Sequence, residues 1–436
     1  MVILNDEYVK RYNGKLLLVF DDTIGSEEKF AIPEAYKMII EGLKWLGVKY
    51  HKVFYKSDRL KMFYKVAEEM IKNNSAYVCE CTAEILRDNR VKSIACKHRG
   101  QSIDANLKKW KTMLKGKYKE GKATVRLKTD MLHPNPAFRD RVLLRVAERK
   151  HPRVGRKYKV WPMLEFSWAV DDHMLGVTHI LRGKDLVIED MVEEFIWNIM
   201  GWSKPEILHY GLLNFEGVKL SKTESRKLIE KGVYKGWDDP RIWSLKSLEK
   251  RGLQPRSIRN FVVGMGLSLS DVSIPVEILY AENRKLIDEK CNRYFAVTNP
   301  VMISVKSKIK STKAPLHPDF PKRGTRKIPV NANKLYVERN DFEKFHDQEV
   351  GLMNLFSIKL KKNSEMTSKD VKYDIQKIHW VSEPNVKIKV VMSDGKEMKV
   401  LAEPAIKKLK KDDIVQFPRI GFARLDKNAT FYFAHK

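Results

Sequence analysis

The hydrophobic period of the chain changes near residue 291, and this change constrains the fold more than any other feature. Before this point, short apolar runs such as Leu16–Phe20 alternate with segments whose apolar residues recur at helical spacing. After it, apolar residues alternate, as at Val301 and Ile303, and Asp394-Gly395 between two alternating runs indicates a hairpin. At 436 residues the chain is long enough for about three domains. We therefore expect an α/β region followed by an all-β barrel or sandwich.

The α/β region begins with a strand that ends in polar residues. Asp21, Asp22 and Thr23 follow the apolar run directly, and a helix is expected from Pro33 to a break at Gly47. In open α/β sheets, ligands bind at the carboxyl ends of the strands. The three residues are therefore candidate ligand contacts, and the alternative is that they cap a turn or a helix.

The net charge indicates a polyanionic partner. Lys and Arg number 84 against 55 Asp and Glu, which gives +29 spread along the whole chain. Counterion release from nucleic acid rewards such a surplus, although a lysine-biased genome would produce it without a partner. The apolar runs are too short to cross a bilayer, and the first residues lack a signal-peptide layout. We expect a soluble, cytoplasmic protein with no membrane partner.

Three of the four cysteines are spaced like metal ligands. Cys79, Cys81, Cys96 and His98 form a C-x-C-x14-C-x-H pattern. Three thiolates and an imidazole suit tetrahedral Zn²⁺, and the alternative is a set of ordinary reduced cysteines. The fourth cysteine, Cys291, is expected in the core.

A lysine-rich turn at residues 219–223, KLSKT, is a candidate phosphate site. Lys219 and Lys222 can neutralise triphosphate oxygens, and Ser221 can add a hydrogen-bond donor. Considered alone, in a chain this rich in lysine, the turn is better explained as a solvated surface.

The wider context changes that interpretation. The stretch VKLSKTESRKLIEKGVYKGWDDPR resembles the KMSKS signature of class I aminoacyl-tRNA synthetases, and GWDDPR narrows the resemblance to the glutamyl/glutaminyl branch. Further segments resemble archaeal-type glutamyl-tRNA synthetases in the same order along essentially the whole chain: LNDEYVKRYNGKLLLVFDDT, HPNPAFRDRVLLR, VDDHMLGVTHILRGKD, ILYAENRKLIDEKCNRYF and HPDFPKRGTRKIPV.

The resemblance implies a domain order. Residues 1–74 and 161–235 would form an incomplete Rossmann-like class I catalytic domain, interrupted by an acceptor-stem insertion at 75–160. Residues 236–290 would be a helical stem-contact region, and residues 291–436 would be all-β barrels that bind the anticodon. Related enzymes carry zinc in the insertion, which favours the metal reading of the cysteines.

The resemblance also implies the chemistry. ATP with Mg²⁺ would activate L-glutamate as glutamyl-adenylate, and the glutamyl group would pass to the terminal ribose of tRNA. Lys219, Ser221 and Lys222 would hold the ATP phosphates. The tRNA would meet the protein at its acceptor stem and its anticodon.

The resemblance assigns four further residues to binding of the amino-acid substrate. Asp21 would bind the amino group of the substrate, with Asp22 and Thr23 in the same substrate-binding stretch. Arg182 would bind the side-chain carboxylate of glutamate, because a guanidinium fork matches a planar carboxylate. A glutaminyl enzyme would have no use for such a cation. The alternative for Arg182 is a surface ion pair with Asp185.

One expected motif is absent from the sequence. No His-x-Gly-His signature, whose helix N-terminus binds ATP in class I synthetases, occurs anywhere in the chain. We expect a split or truncated synthetase, in the first case with a separate polypeptide that carries this motif. The alternatives are a glutaminyl-tRNA synthetase and a non-catalytic tRNA-binding relative. Arg241 and Arg251 are left open as contacts to the RNA backbone or as ordinary surface charges.

Overall fold

The computed structural model describes residues 1–24, 32–218 and 220–436. They divide into two compact units. Unit 1 comprises Met1–Leu213 and Met265–Val272, and unit 2 comprises Asn214–Gly264 and Ser273–Lys436.

Unit 1 mixes helices with short strands. Its helices are α1 (Val2–Arg11), α2 (Pro33–Trp45), α3 (Leu60–Lys72), α4 (Ala83–Val91), α5 (Ile103–Leu114), α6 (Leu164–Met174) and α7 (Val187–Met200). Its strands are β1 (Leu17–Phe20), β2 (Lys52–Tyr55), β3 (Ala76–Cys79), β4 (Thr124–Leu127), β5 (Val142–Val146), β6 (Val160–Pro162), β7 (His179–Gly183) and β8 (Glu206–Tyr210). The predicted first strand and the helix that begins at Pro33 are confirmed.

The strands of unit 1 form parallel pairs and one antiparallel sheet. β1 pairs with β2 in parallel, and β7 pairs with β8 in parallel. The strands β3, β4, β5 and β6 form an antiparallel sheet in chain order. One apolar face of α3, with Phe63 and Met70 fully buried, packs into the same core as the inner face of this sheet. This core fixes the elements that present the candidate site.

Two short strands, β9 (Leu213–Phe215) and β10 (Val272–Ile274), lie where the chain passes between the units. The next helices are α8 (Lys222–Glu230), α9 (Leu245–Arg251), α10 (Pro255–Met265) and α11 (Glu277–Ile287). Among the described residues, no helix is both long and apolar enough to cross a membrane.

The remainder of unit 2 is almost entirely β structure. Its strands, with the short helix α12 (Arg339–Lys344) between β16 and β17, are β11 (Asn292–Arg293), β12 (Ala296–Val297), β13 (Pro300–Val305), β14 (Ser311–Pro315), β15 (Thr325–Pro329), β16 (Leu335–Glu338), β17 (Glu349–Leu352), β18 (Phe356–Lys359), β19 (Asn363–Ser368), β20 (Gln376–Ile378), β21 (Trp380–Ser382), β22 (Val386–Val391), β23 (Glu397–Ala402), β24 (Ile414–Phe417), β25 (Gly421–Leu425) and β26 (Thr430–His435).

Fourteen of these strands build two barrel-like sheets of seven strands each, and β14 and β15 form a separate antiparallel pair. One sheet has the order β20-β17-β18-β19-β13-β16-β21, and the other has the order β11-β24-β25-β26-β22-β23-β12. Each has its own apolar core, centred on residues such as Trp380 in the first and Phe417 in the second. The predicted hairpin at Asp394-Gly395 is confirmed: β22 and β23 pair antiparallel, and Gly395 has the positive φ of 83° that the turn requires. The predicted change from α/β to β structure is confirmed.

Candidate amino-acid site and metal centre

Asp21 lies at the carboxyl end of β1 and is held on both carboxylate oxygens. Its Oδ2 accepts hydrogen bonds from Lys56 Nζ at 3.1 Å and from Trp168 Nε1 at 3.2 Å. The hydroxyl of Thr23 donates to Oδ1 at 3.1 Å. The Asp21 side chain keeps 27% exposure. It therefore combines a fixed orientation with access from solvent.

Asp22 points into the protein instead. It is 2% exposed and accepts hydrogen bonds from the backbone N–H of Ser57 at 2.8 Å, from its hydroxyl at 2.7 Å and from the hydroxyl of Tyr36 at 3.0 Å. Burial and the neighbouring Asp22 carboxylate both raise the pKa of Tyr36. These contacts tie the end of β1 to the turn after β2, which agrees with the capping alternative for Asp22.

Lys56 was not singled out from the sequence. It follows β2, is 1% exposed, and donates to Ser167 Oγ at 2.7 Å as well as to Asp21. Its Nζ lies 5.6 Å from the centre of the Trp168 ring. A lysine at the end of an alternating strand usually projects into solvent, so only the folded structure reveals that this one is buried beside a carboxylate.

Arg182 in β7 is buried, at 6% exposure, and its partners lie on α7. Nη1 donates to Asp190 Oδ1 at 2.9 Å and to Glu193 Oε1 at 2.7 Å, and Nη2 donates to Glu193 Oε2 at 3.1 Å. The alternative of a surface ion pair with Asp185 is therefore wrong. The parallel pairing of β7 with β8 covers the strand, and the helical turn of α7 brings two carboxylates over the guanidinium.

Trp168 connects the two charged groups. Its indole N–H contacts Asp21, and the guanidinium carbon of Arg182 lies 5.1 Å from the ring centre. Residues at the carboxyl ends of β1 and β7 therefore face one aromatic side chain on α6. A carboxylate and a guanidinium thus lie on either side of this ring, and each is paired within the chain, Asp21 with Lys56 and Arg182 with Asp190 and Glu193.

Further acidic groups surround Arg182. Burial raises the pKa of Glu193 to about 7, although Arg182 opposes this shift. Burial also raises the pKa of Asp172 to about 6. His209 Nε2 lies 2.6 Å from Asp190 Oδ2 and extends the cluster to β8. Arg182 is thus surrounded by more acidic side chains than the sequence alone indicates.

The KLSKT turn lies in unit 2. Ser221 is the N-cap of α8, where its hydroxyl accepts a hydrogen bond from the backbone N–H of Glu224 at 3.3 Å. Lys222 is the first residue of α8 and is exposed. Lys219 lies outside the described residues. A helix N-terminus with an exposed lysine is suited to phosphate oxygens.

The structure brings all four predicted metal ligands together. The ligand atoms of Cys79, Cys81, Cys96 and His98 lie within 4.8 Å of one another. Cys79 Sγ lies 3.6 Å from Cys96 Sγ, and Cys81 Sγ lies 3.4 Å from His98 Nδ1. A tetrahedral ion with Zn–S bonds of about 2.3 Å would separate its ligands by roughly 3.8 Å. The donor set and its spacing therefore fit Zn²⁺.

The surroundings of the cluster support the same fit. The second ring nitrogen of His98, Nε2, lies 3.5 Å from Glu80 Oε2, and Lys109 Nζ in turn donates to this oxygen at 2.5 Å. Arg126 Nη1 lies 3.6 Å from Cys96 Sγ. A carboxylate behind a histidine and a cation beside a thiolate are typical of protein metal sites.

Comparison with known proteins places the chain in a family. The catalytic-domain profile described as "tRNA synthetases class I (E and Q), catalytic domain" matches residues 1–289. Two anticodon-binding-domain profiles of the same E and Q class match residues 291–377 and 377–426. The chain therefore belongs to the class I tRNA synthetases of the E and Q type.

Three similar curated proteins come from archaea. The chain is 42% identical to the glutamate--tRNA ligase of Pyrococcus abyssi over all of its own length and 79% of that protein. It is 43% identical to that of Pyrococcus horikoshii, over 98% of this chain and 77% of the relative, and 40% identical to that of Methanocaldococcus jannaschii over the same shares. A crystal structure of a glutamate tRNA ligase from Elizabethkingia meningosepticum, in complex with its amino acid, is 16% identical over 66% of each chain, with a TM-score of 0.45. This last likeness is too weak to support an argument.

Proposed function

We propose that the chain is a glutamate--tRNA ligase that joins L-glutamate to tRNA. The observation that carries this proposal is the 42% identity to a glutamate--tRNA ligase over the whole chain, together with family matches to both the catalytic and the anticodon-binding domains. In the first step, a glutamate carboxylate oxygen attacks the α-phosphorus of ATP and pyrophosphate leaves. In the second step, a hydroxyl of the terminal ribose attacks the carbonyl of glutamyl-adenylate and AMP leaves.

Within this function, Asp21 would receive the ammonium of glutamate and Arg182 would receive its side-chain carboxylate. Trp168 would form the wall between them, because it contacts both. Asp22 would stabilise the fold and would not contact the substrate, because it is 2% exposed and its oxygens accept hydrogen bonds from Ser57 and Tyr36.

Ser221 and Lys222 would act on ATP, and Lys219 is proposed with them on the sequence motif alone. The exposed ammonium of Lys222 and the N-terminal N–H groups of α8 supply positive charge where the triphosphate gains negative charge. Mg²⁺ would enter with ATP as its counterion.

Glutamate is preferred to glutamine as the substrate. Glutamine would place a neutral amide against the Arg182 guanidinium, so it would lack the charge-assisted hydrogen bonds that the carboxylate of glutamate makes with a guanidinium. The names of the relatives favour glutamate too. A non-catalytic tRNA-binding role explains the anticodon-binding domains but gives no reason for the charged site at Asp21 and Arg182.

A segment with the His-x-Gly-His motif is proposed as a further partner. Among the described residues, β1 pairs only with β2 and β7 pairs only with β8, although both strands face Trp168. A strand inserted between β1 and β7 would join the two parallel pairs into one sheet and present its carboxyl end beside Asp21. A separate polypeptide is one source for that strand.

Zn²⁺ is proposed as a structural ion of the insertion. Cys79 is the last residue of β3, Cys81 lies between β3 and the next helix, α4, and Cys96 and His98 lie beyond the end of α4. The ion would hold the two ends of this segment together, whereas Thr82 caps only the start of α4. Zn²⁺ would contribute folding energy and no step of the reaction.

The proposed tRNA partner fits the charge of the β domains. A groove of about 710 Å³ in unit 2 is lined by Lys306, Lys308 and Lys369 with Ile309 and Met366. Phosphates of an anticodon arm would contact three lysine ammonium groups there, beside the apolar side chains of Ile309 and Met366.

The cytoplasmic location of the chain stays a prediction.

The direct test is aminoacylation with labelled glutamate and total archaeal tRNA. We expect ATP-dependent attachment of glutamate and none of glutamine, by the chain alone or after addition of a polypeptide with the His-x-Gly-His motif. Binding of tRNA without attachment under both conditions would instead favour the non-catalytic role.

A further inference from the structure

Both charged groups that glutamate is expected to use already have partners of matching chemistry inside the chain. The ammonium of Lys56 lies 3.1 Å from Asp21, where the substrate ammonium is expected. The carboxylate of Glu193 contacts Arg182 at 2.7 and 3.1 Å through both of its oxygens, in the arrangement expected of the substrate carboxylate.

From this arrangement we infer that Lys56 and Glu193 occupy the ammonium and carboxylate positions of the amino-acid site and must be displaced before glutamate binds. The inference rests on the proposed function, because it takes Asp21 and Arg182 as the groups that bind glutamate. It adds two residues that compete with the substrate from within the chain.

The first argument concerns Lys56 and its burial. At 1% exposure, its charge is separated from water, and it is balanced by the Asp21 carboxylate and by the hydroxyl of Ser167. A carboxylate that already neutralises one buried ammonium attracts a second one much less. Asp21 can bind the substrate at full strength only when Lys56 is removed or moves away.

The second argument concerns the number of carboxylates around Arg182. Asp190 and Glu193 both accept hydrogen bonds from this guanidinium within 3.1 Å, and the Asp172 carboxylate adds negative charge nearby. A third contacting carboxylate, that of glutamate, would be repelled by the two already there. Exchange of Glu193 for the substrate keeps the guanidinium paired and avoids this repulsion.

Lys56 and Glu193 lie on different elements, so the effect of each residue on glutamate binding can be tested separately. Lys56 follows β2, and Glu193 lies in α7. Removing the charge of either one should free one end of the site while the other end stays occupied. A merely structural role predicts the opposite result, because loss of a buried ion pair would loosen the site and weaken binding.

The test measures binding of labelled L-glutamate to the full chain by equilibrium dialysis, so that no ATP chemistry is needed. Lys56→Gln and Glu193→Gln should each lower the Kd for glutamate at least tenfold, and the double variant should lower it further. Lys52→Gln, at an exposed lysine of β2, and Glu194→Gln, at the exposed residue next to Glu193 in α7, should leave Kd unchanged. Because the substitutions lie on different elements, either variant carries the test if the other fails to fold.

The outcomes distinguish failure of this inference from failure of the proposed ligase function. Unchanged or weaker glutamate binding in folded K56Q and E193Q would overturn the inference and leave the ligase proposal intact if the wild-type chain still binds glutamate. Absence of glutamate binding in every variant, together with failure of aminoacylation, would overturn both. Where activity is measurable, KM for glutamate should fall more than kcat changes.

Discussion

The guanidinium of Arg251 donates to the backbone carbonyl of Ala434 at 2.7 Å, across 183 residues of chain. It also donates to the carbonyl of Phe433 at 3.2 Å and to the hydroxyl of Tyr280 at 2.9 Å. Arg251 is 1% exposed, so its interpretation as a surface charge or an RNA contact is wrong. Its three bonds join α9 and α11 to the last strand of unit 2.

Replacing Arg251 should therefore destabilise unit 2 and not merely weaken RNA binding. Arg251→Met leaves two buried carbonyl groups without this donor, and we expect a loss of about 2–4 kcal/mol in the free energy of unfolding. Urea unfolding of the isolated chain measures the loss. Arg256→Met, which changes an exposed arginine of α10, should cost less than about 0.5 kcal/mol. Equal effects of the two substitutions would contradict the structural role.

The sequence allowed the fold to be predicted where periodicity is strong. Local sequence patterns determine the strand before Asp21, the helix from Pro33 and the hairpin at Gly395, and the folded structure contains all three. The two-sheet arrangement of the β domains could not be derived from periodicity, because its parallel neighbours are distant in sequence. β13, for example, pairs with β19 in parallel, with Ser304 opposite Asn363.

The candidate site shows the same limit. The spacing of Cys79, Cys81, Cys96 and His98 carries its own signal, and these four side chains do meet. By contrast, Lys56, Glu193 and Asp190 carry no motif, and their importance depends on burial beside Asp21 and Arg182. Charged residues at helical or strand spacing are usually solvated, so sequence reasoning assigns them to the surface.

The raised pKa of Glu193 predicts a dependence of stability on pH. The folded-state pKa is about 7, above the usual 4.5, so the folded chain binds more protons than the unfolded chain between these values. This group therefore makes stability fall as pH rises from about 4.5 to 7. Glu193→Gln should remove this contribution. The difference in the free energy of unfolding between the wild-type chain and the variant should therefore change by roughly 1–3 kcal/mol between pH 4.5 and 7. A difference that does not change between pH 4.5 and 7 would contradict the assignment.

Removal of a cysteine from the proposed zinc site should release the metal. Purified wild-type chain should hold about one Zn²⁺ per molecule, and Cys81→Ser should hold much less because three ligands remain. Elemental analysis after dialysis measures the content, and a lower melting temperature should accompany the loss. Cys291→Ser, at a buried cysteine outside the cluster, is the control and should retain the metal. Equal zinc content in both variants would exclude this site.

Charge reversal in the lysine-lined groove should weaken binding of tRNA. The double substitution Lys306→Glu and Lys308→Glu replaces two cations of the groove with anions, and we expect at least about tenfold weaker binding at 0.1 M salt. The salt dependence of the binding constant should also become shallower, because fewer counterions are released. Filter binding across a salt series measures both. Lys61→Glu, at an exposed lysine of α3, is the control for net charge, and an equal loss there would show a non-specific effect.

Lys222 should be needed for the chemistry of ATP and not for recognition of tRNA. In the proposed function, its exposed ammonium at the start of α8 would stabilise charge that develops on the triphosphate, so Lys222→Ala should lower the rate of glutamyl-adenylate formation by about 10²–10³. Glutamate-dependent exchange of labelled pyrophosphate into ATP, in enzyme reconstituted with any required partner, measures this rate. Affinity for tRNA should stay within about threefold. Lys227→Ala, also exposed and on the same helix, should keep both activities. If exchange survives in the Lys222 variant, or disappears equally in the Lys227 variant, the phosphate site lies elsewhere.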